Sequence, residues 1–427
     1  MDINVIFLIW LLLLVLGMPI YAILGITSFI FIISTGFTPL VIPQKITMAA
    51  NSFPMQAAPF FILMGNIMNC SGVTRRIFKF ASTLVGWMYG GLGHSNILAS
   101  IIFAGMSGTA VADAGGLGTI EIAAMREKGY DDDFTCAITA ASATIGPIIP
   151  PSFPMVIYAV LAETSVGGLF IGGILPGLLM GLTLMIMVYF YSKKRNYPRE
   201  KFPTFNEVWV SFKEAFWAIL APLILLVGII GGIFTPTEAA AVAAFYALIL
   251  GVFIYKELKI KDIPKEILST METNGVVLAL VMTAVLFGWF LTVAQIPQMI
   301  GTALIAVSAN PIFTMLIITT FLLFVGCFME TTAAMIVLVP ILYPVSISMG
   351  ISSIQFGVLV VLTLMIGTIT PPIGIVLSVV SNVSKVPFER VAKATMPFLI
   401  PLLLVVLLII FVPELTTLLP RLLMGIK

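Results

Sequence analysis

Residues 145–151 read "IGPIIPP", and residues 366–372 read "IGTITPP". Each copy is set in apolar sequence of the kind that forms buried helix, yet proline lacks an N–H and clashes with the preceding turn. Displacing the chain by 221 positions places Ile145, Gly146, Ile148, Pro150 and Pro151 on Ile366, Gly367, Ile369, Pro371 and Pro372. The same displacement, without a gap, places "FAG" (103–105) on "FVG" (324–326) and Gly129 on Gly350. Two separate motifs sharing one offset mark an internal repeat.

The chain around these motifs has 427 residues, 60% of them hydrophobic and 9% charged, with a mean hydropathy of +1.16. A soluble domain carries roughly a quarter charged residues. No Asp, Glu, Lys or Arg occurs in 3–44, 80–112, 134–162, 164–192, 273–329 or 331–384. A spanning helix needs about 20 apolar residues, so the sequence specifies an all-α polytopic membrane protein. The first run, 3–34, lacks a basic n-region and is too long for a secretory signal. It reads as one long span or two elements broken at Gly17-Met18-Pro19. Cys70, Cys136 and Cys327 are far apart in apolar surroundings and read as buried small hydrophobes.

Charge placement gives the topology. Ten of the 21 basic residues fall in 193–265, in "KKRNYPREK" (193–201), at Lys213 and in "KELKIKDIPK" (256–265). Two spans between the clusters put both on one face, which the positive-inside rule makes cytoplasmic. Working outward, 134–161 and 167–191 are spans, and 92–127 enters and leaves on one side as a re-entrant hairpin interrupted by "SGTAVADAGG" (107–116). Further on, 267–293 crosses, 313–348 is a second hairpin interrupted at "GCFMETTAA" (326–334), 354–380 crosses back and 394–413 is the last span. The expected division is therefore as follows. Residues 1–91 form an N-terminal scaffold whose stretch 79–91 lies along the interface. The first repeat is 92–192, and 193–214 and 256–266 are cytoplasmic loops flanking scaffold spans in 215–255. The second repeat is 267–427. Five spans separate the hairpins, so the second unit is inverted.

Inverted repeats with interrupted helices are the mark of a secondary transporter. Each double proline unwinds its helix at membrane depth, where bare backbone is tolerated only if it is buried in protein or lines a watery cavity. The freed carbonyls can coordinate a cation, and half-helix N-termini can face an anion. The polar groups available are Ser107, Thr109 and Asp113 at the first tip and Ser142, Thr144 and Ser152 around the first break. The second repeat offers Glu330, Thr331 and Thr332 at the tip, with Thr368, Thr370 and Ser378 at the break. All are hard oxygen donors, which suit sodium rather than a transition metal, and an intramembrane carboxylate is costly enough to imply a use. No Lys or Arg is expected in the membrane core, so an anionic substrate would rest on hydroxyls, amides, helix termini and co-bound sodium. Glu238 in "FTPTEAAA" reads as a helix cap, partnered by Thr235 or Thr237. No nucleotide-binding loop or catalytic triad occurs, which sets aside ATP as the direct energy source, a membrane enzyme and nucleic acid as a partner.

The runs "PFFILMGNIMNCSGVTRRIF" (59–78), "FAGMSGTAVADAGGLGTIEIAAM" (103–125), "SATIGPIIPPSFPMVIYAV" (142–160), "GGIFTPTEAAAVAAFYAL" (231–248), "FMETTAAMIVLVPILYPV" (328–345) and "LMIGTITPPIGIVL" (364–377) resemble the large membrane subunit of tripartite ATP-independent periplasmic (TRAP) transporters. The resemblance covers almost the whole chain. It implies an elevator-type carrier of the bacterial or archaeal cytoplasmic membrane, driven by sodium. The implied partners are a small four-helix membrane subunit, a soluble periplasmic substrate-binding protein and membrane lipids. The implied substrates are small organic carboxylates such as sialic acid or C4-dicarboxylates. Carried over by motif, the sodium sites use Ser107, Gly108 and Thr109 with Gly146, Ile149 and Pro150, and Glu330, Thr331 and Thr332 with Gly367, Thr370 and Pro371. Substrate would then contact Asp113, Ser142, Thr144, Ser152, Thr368 and Ser378. Glu330 stands where Asp is expected in relatives, and "TIEIAAM" lacks the proline expected before its alanine. A carrier of the same architecture that needs no binding protein is the alternative, and a channel with double-proline filters is a remoter one.

Overall fold

The computed structural model describes residues 3–307 and 310–426, except for the side chains of Asn4, Phe53, Ser107, Leu304, Ile305 and Ala306. Among the described residues every regular element is a helix. Six helices are long and apolar enough to cross a membrane, or seven if one bent pair counts as a single span.

The N-terminal run is two elements, α1 (Ile3–Val15) and α2 (Ile20–Ser34), because Gly17 takes a left-handed φ and Pro19 begins the next helix. A short α3 (Val41–Ala50) leads into α4 (Phe53–Cys70) and α5 (Val73–Val85), which meet at 71°. Helix α5 therefore begins six residues ahead of the stretch expected along the interface. Val73, Thr74, Ile77, Phe78 and Ala81 bury one of its faces while Arg75 and Lys79 point outward. Cys70, expected to be buried, is exposed at the end of α4 beside Glu266.

The first hairpin is α6 (Gly91–Ser107) returning through α7 (Ala110–Gly115) and α8 (Leu117–Glu127). A broken span follows, α9 (Asp132–Ala143) and α10 (Phe153–Leu161), then α11 (Val166–Arg195). Helix α12 (Phe205–Ile230) starts inside the expected loop 193–214, because a Thr204/Glu207 capping box nucleates it early. Helix α13 (Pro236–Ile249) opens on a Thr235/Glu238 box, as expected for Glu238, and ends in a π-helical turn, Leu250–Ile254. Helix α14 (Ile263–Val293) likewise begins within the expected loop 256–266, with Pro264 in its first turn. The second unit runs α15 (Ile296–Val307), α16 (Pro311–Gly326), α17 (Thr331–Ser348), α18 (Ser353–Gly367), α19 (Ile375–Ser384), α20 (Phe388–Thr395) and α21 (Leu399–Phe411), with α22 (Glu414–Met424) closing the chain.

The repeat offset holds at the level of helices. Helices α7 and α8 span 110–127 and α17 spans 331–348, a displacement of 221 at both ends. Helix α5 displaced by 221 becomes 294–306, against Ile296–Val307 for α15, an element not foreseen from the sequence. Both double prolines, Pro150-Pro151 and Pro371-Pro372, contain a cis peptide bond.

The two units exchange contacts: α7 packs on α19, and α17 on α10, so each hairpin's returning limb leans on the other unit's half-helix. At the basic face, Arg126 donates to the Ser384 carbonyl at 2.6 Å and pairs with Asp132, while Arg390 pairs with Asp133. These contacts tie the hairpins and broken spans into one body. Helices α2, α3 and α4 pack against α14 and form the wall facing it.

Two local features set the hairpin geometry. Gly326 and Gly367 pack backbone on backbone, so that a Cβ on Gly367 would lie 2.5 Å from the Gly326 Cα. The returning limbs are capped at symmetric positions: Thr109 Oγ1 accepts from the Ala112 N–H at 3.2 Å, and Glu330 Oε2 accepts from the Ala333 N–H at 3.0 Å. Gly367→Ala is therefore expected to cost about 1–3 kcal/mol by overpacking and to lower the thermal midpoint in detergent. Gly275→Ala in α14, where a Cβ meets nothing within 4 Å, should not lower it. Glu330→Ala is expected to cost about 1 kcal/mol through loss of the cap, while Glu330→Asp, a preferred cap residue, should stay near the parent in the same melt.

Candidate functional site

Each hairpin tip rests on the unwound segment of its own unit. In the first, residues 144–152 separate α9 from α10. Within that segment Ser152 caps α10, accepting from the Met155 N–H at 3.3 Å while donating to the Pro147 carbonyl. The carbonyls of Gly146, Ile149 and Pro150 accept no hydrogen bond among the described residues. The tip turns at Gly108, whose φ of +59° lets α6 end sharply. A Cβ there would sit 3.5 Å from the Pro151 carbonyl oxygen and 3.4 Å from the Phe153 nitrogen, so tip and break touch through backbone.

The second junction is tighter. The Gly374 N–H donates across it to the Cys327 carbonyl at 3.2 Å. Thr370 Oγ1 donates to Ile366 O at 2.8 Å, the Thr370 N–H to Gly367 O at 2.9 Å, and the Val376 N–H to Thr368 O at 3.1 Å. Glu330 accepts from Thr332 Oγ1 at 3.0 Å besides capping α17, and Thr331 Oγ1 lies 3.8 Å from the Met365 sulfur. Fixed carbonyl oxygens in a mostly buried break are the donor set that a hard monovalent cation takes. No cluster of three or more His, Cys, Asp or Glu able to hold a transition metal occurs among the described residues.

The two tips meet. Thr109, Glu330, Thr331, Thr332 and Thr368 line a gap of about 30 Å³ between them, room for a water or an ion and too small for an organic acid. A larger cavity, about 150 Å³, lies in the seam between the hairpin body and the α4/α14 wall. The first tip (Gly108, Thr109, Ala112) and the first break (Pro151, Phe153) form one side, and Asn66, Asn69 and Thr273 supply polar groups on the other. Asn66 Nδ2 donates to Thr270 Oγ1 at 3.1 Å, whereas Asn69 Oδ1 is buried without a partner.

Of the residues expected at the site, Thr109, Glu330, Thr331, Thr332 and Thr368 converge on the gap between the tips. The Ser107 side chain lies outside the described residues. Ser142 is fully buried and donates to Asn96 Oδ1 at 2.6 Å, Thr144 donates to its own helix at Ala141, and Ser378 donates to Ile373 O at 3.3 Å. Asp113 is buried inside the first hairpin beside Ser100, with one carboxylate oxygen unpartnered. None of Asp113, Ser142, Thr144, Ser152 or Ser378 borders either cavity. Asn66 and Asn69 were missed. The signal was present in "MGNIMNC", where two asparagines three apart share one helical face of an apolar span.

The family model described as "Tripartite ATP-independent periplasmic transporter, DctM component" matches residues 7–415. The chain is 45% identical over 417 residues to the sialic acid TRAP transporter large permease protein SiaM of Vibrio cholerae, covering 97% of this chain and 98% of that one. It is 42% identical over 423 residues to the sialic acid TRAP transporter permease protein SiaT of Haemophilus influenzae, of which it covers 69%. It is 34% identical to the C4-dicarboxylate TRAP transporter large permease protein DctM of Vibrio cholerae, covering 100% of this chain and 99% of that protein. Among solved structures, the YdaH transporter of Alcanivorax borkumensis shares the fold, with a TM-score of 0.63 over 86% of each chain at 14% identity. The chain belongs to the DctM family, the large multi-pass inner-membrane component of tripartite ATP-independent periplasmic transporters.

Proposed function

We propose that this chain drives sodium-coupled uptake of a small organic carboxylate, of the sialic acid or C4-dicarboxylate class, handed over by a periplasmic substrate-binding protein. The observation that carries the reading is the pair of hairpin–break junctions whose tips meet, the first of which also borders the cavity on the seam. The names of the relatives at 45%, 42% and 34% identity support the substrate class. A small four-helix membrane subunit would complete the wall that includes α4 and α14.

In this mechanism sodium ions take the carbonyls of Gly146, Ile149 and Pro150 with the Ser107–Thr109 tip, and the Gly367–Pro371 backbone with the Glu330–Thr332 tip. The two junctions differ in one respect that bears on the anion. Thr109 is a neutral cap, whereas Glu330 places a carboxylate on the N-terminus of α17. The positive end of α17 is thus already occupied. The organic anion is directed to the first repeat, against Thr109, Asn66, Asn69 and Thr273. The hairpins and broken spans then move as one body past the α4/α14 wall. Coupling requires the empty and fully loaded bodies to cross more readily than partly loaded ones.

The test is uptake of radiolabelled sialic acid and of a C4-dicarboxylate into proteoliposomes holding this chain with its small partner subunit. It is run with and without an inward sodium gradient and the soluble binding protein. Uptake requiring both supports the reading, sodium-driven uptake without the binding protein favours a stand-alone carrier, and uptake indifferent to sodium contradicts the coupling. In the same assay Asn69→Ala, which breaks no hydrogen bond among the described residues, is expected to raise the half-saturating substrate concentration about tenfold. That factor is the loss of one hydrogen bond to a charged group, roughly 1.5 kcal/mol.

A further inference from the structure

A second cavity interrupts the same seam at the face opposite the basic clusters. It holds about 310 Å³, and its lining includes Lys45 of α3, Trp289 and Thr292 of α14, Tyr343 of α17 and Glu163 just beyond α10. We propose that this cavity is a capture site for the organic anion, with Lys45 as the partner of its carboxylate. The proposal rests on the uptake reading above and adds a separate binding step ahead of the hairpin–break junctions.

Four observations converge on it. The volume lies at the lower end of the roughly 300–1,000 Å³ typical of small-ligand sites, and the lining is mostly apolar and aromatic with a few polar groups, as such sites require. The cavity near the first hairpin is half that volume. Lys45 makes no ion pair among the described residues. It is only partly exposed, so its charge faces a lining of low polarity, where one ion pair is worth more than in open water.

The opposite wall carries the opposite sign. Glu163 takes a left-handed φ of +47° in the turn after α10, an uncommon conformation for a residue other than glycine. It borders the cavity together with Tyr343. A carboxylate entering between the two walls is drawn to α3 and repelled from Glu163, which orients it with its charge toward Lys45. The remainder of the molecule meets Trp289 and Tyr343.

Helix α14 connects this cavity to the inner one. Thr273 borders the inner cavity and Ala284 to Thr292 border the outer. At 1.5 Å per residue these positions are roughly 16–28 Å apart along the helix. One helix thus lines both ends of the seam.

The experiment compares wild type, Lys45→Ala and Lys45→Arg, each reconstituted with the small partner subunit. Two readouts are taken, uptake against substrate concentration at low and high ionic strength, and direct binding of sialic acid and succinate by quenching of Trp289 fluorescence, isolated by a Trp289→Phe control. Lys45→Ala should raise the half-saturating concentration and the dissociation constant about tenfold at low salt, with the maximal rate unchanged. Lys45→Arg should stay within about threefold of wild type, and high salt should narrow the difference. Affinity for the loaded binding protein, measured by surface immobilisation, should be the same in all three.

Wild-type half-saturation in Lys45→Ala at low salt overturns the proposal. So does a loss of maximal rate alone, which marks a structural role, or a loss of affinity for the binding protein, which makes Lys45 a docking residue. Absence of uptake in wild type would instead overturn the transport reading, and the fluorescence titration would still decide the role of Lys45.

Discussion

A proline pair inside a buried span forces the rest of this architecture. Pro150-Pro151 and Pro371-Pro372 each separate one half-helix from the next, leaving residues 144–152 and 368–374 outside regular helix. Bare backbone at that depth must be covered by protein or by a polar cavity. Here it is covered by the hairpin tips, through Gly108 at the first break and through Gly326, Gly367 and the Gly374–Cys327 hydrogen bond at the second. The hairpins exist to cover the breaks, and the breaks give the hairpins a surface to rest on. Because each returning limb also leans on the other unit's half-helix, neither repeat can bury its backbone alone.

The seam between this body and the α4/α14 wall is where function can reside. The body is interlocked and keeps its own polar groups, such as Asp113 and Ser142, inside, whereas the seam carries polar side chains on both sides and holds a cavity at each end. The internal symmetry is broken at one telling place. Thr109 and Glu330 occupy the same position of the two repeats and both cap a helix, yet one is neutral and the other anionic. A symmetric fold therefore offers an organic anion an asymmetric pair of junctions, and we place the anion at the neutral one.

Much of the fold was legible in the sequence, for identifiable reasons. The repeat was readable because double prolines and the "FAG"/"FVG" glycines are required by backbone geometry and survive divergence at a fixed offset. The hairpins were readable because polar tips interrupt uncharged runs. The short helices α3, α15 and α22 were not, since their length and composition resemble the flanks of a longer span. The early starts of α12 and α14 were hidden because capping and a first-turn proline, not hydropathy, decide where a helix begins.

The site was harder to read than the fold. Polar residues near a break can face the cavity or their own helix, and spacing alone does not separate the two. Thr109, Thr368 and the Glu330–Thr332 tip face the gap between the repeats, while Ser142 and Thr144 turn inward to Asn96 and Ala141. The asparagines of α4 lie outside the internal repeat, on the scaffold wall of the seam, so no repeated motif points to them.

In the proposed transport step the hairpins and broken spans move as one body against α3, α4 and α14. The most direct measurement is the distance between spin labels in liposomes, by double electron–electron resonance. One pair bridges the seam at Gln44 and Glu163, and the other lies within the body at Glu163 and Ser348. The account predicts that the first distance changes on adding sodium and substrate while the second does not. Two unchanged distances, or a change within the body equal to that across the seam, would contradict it.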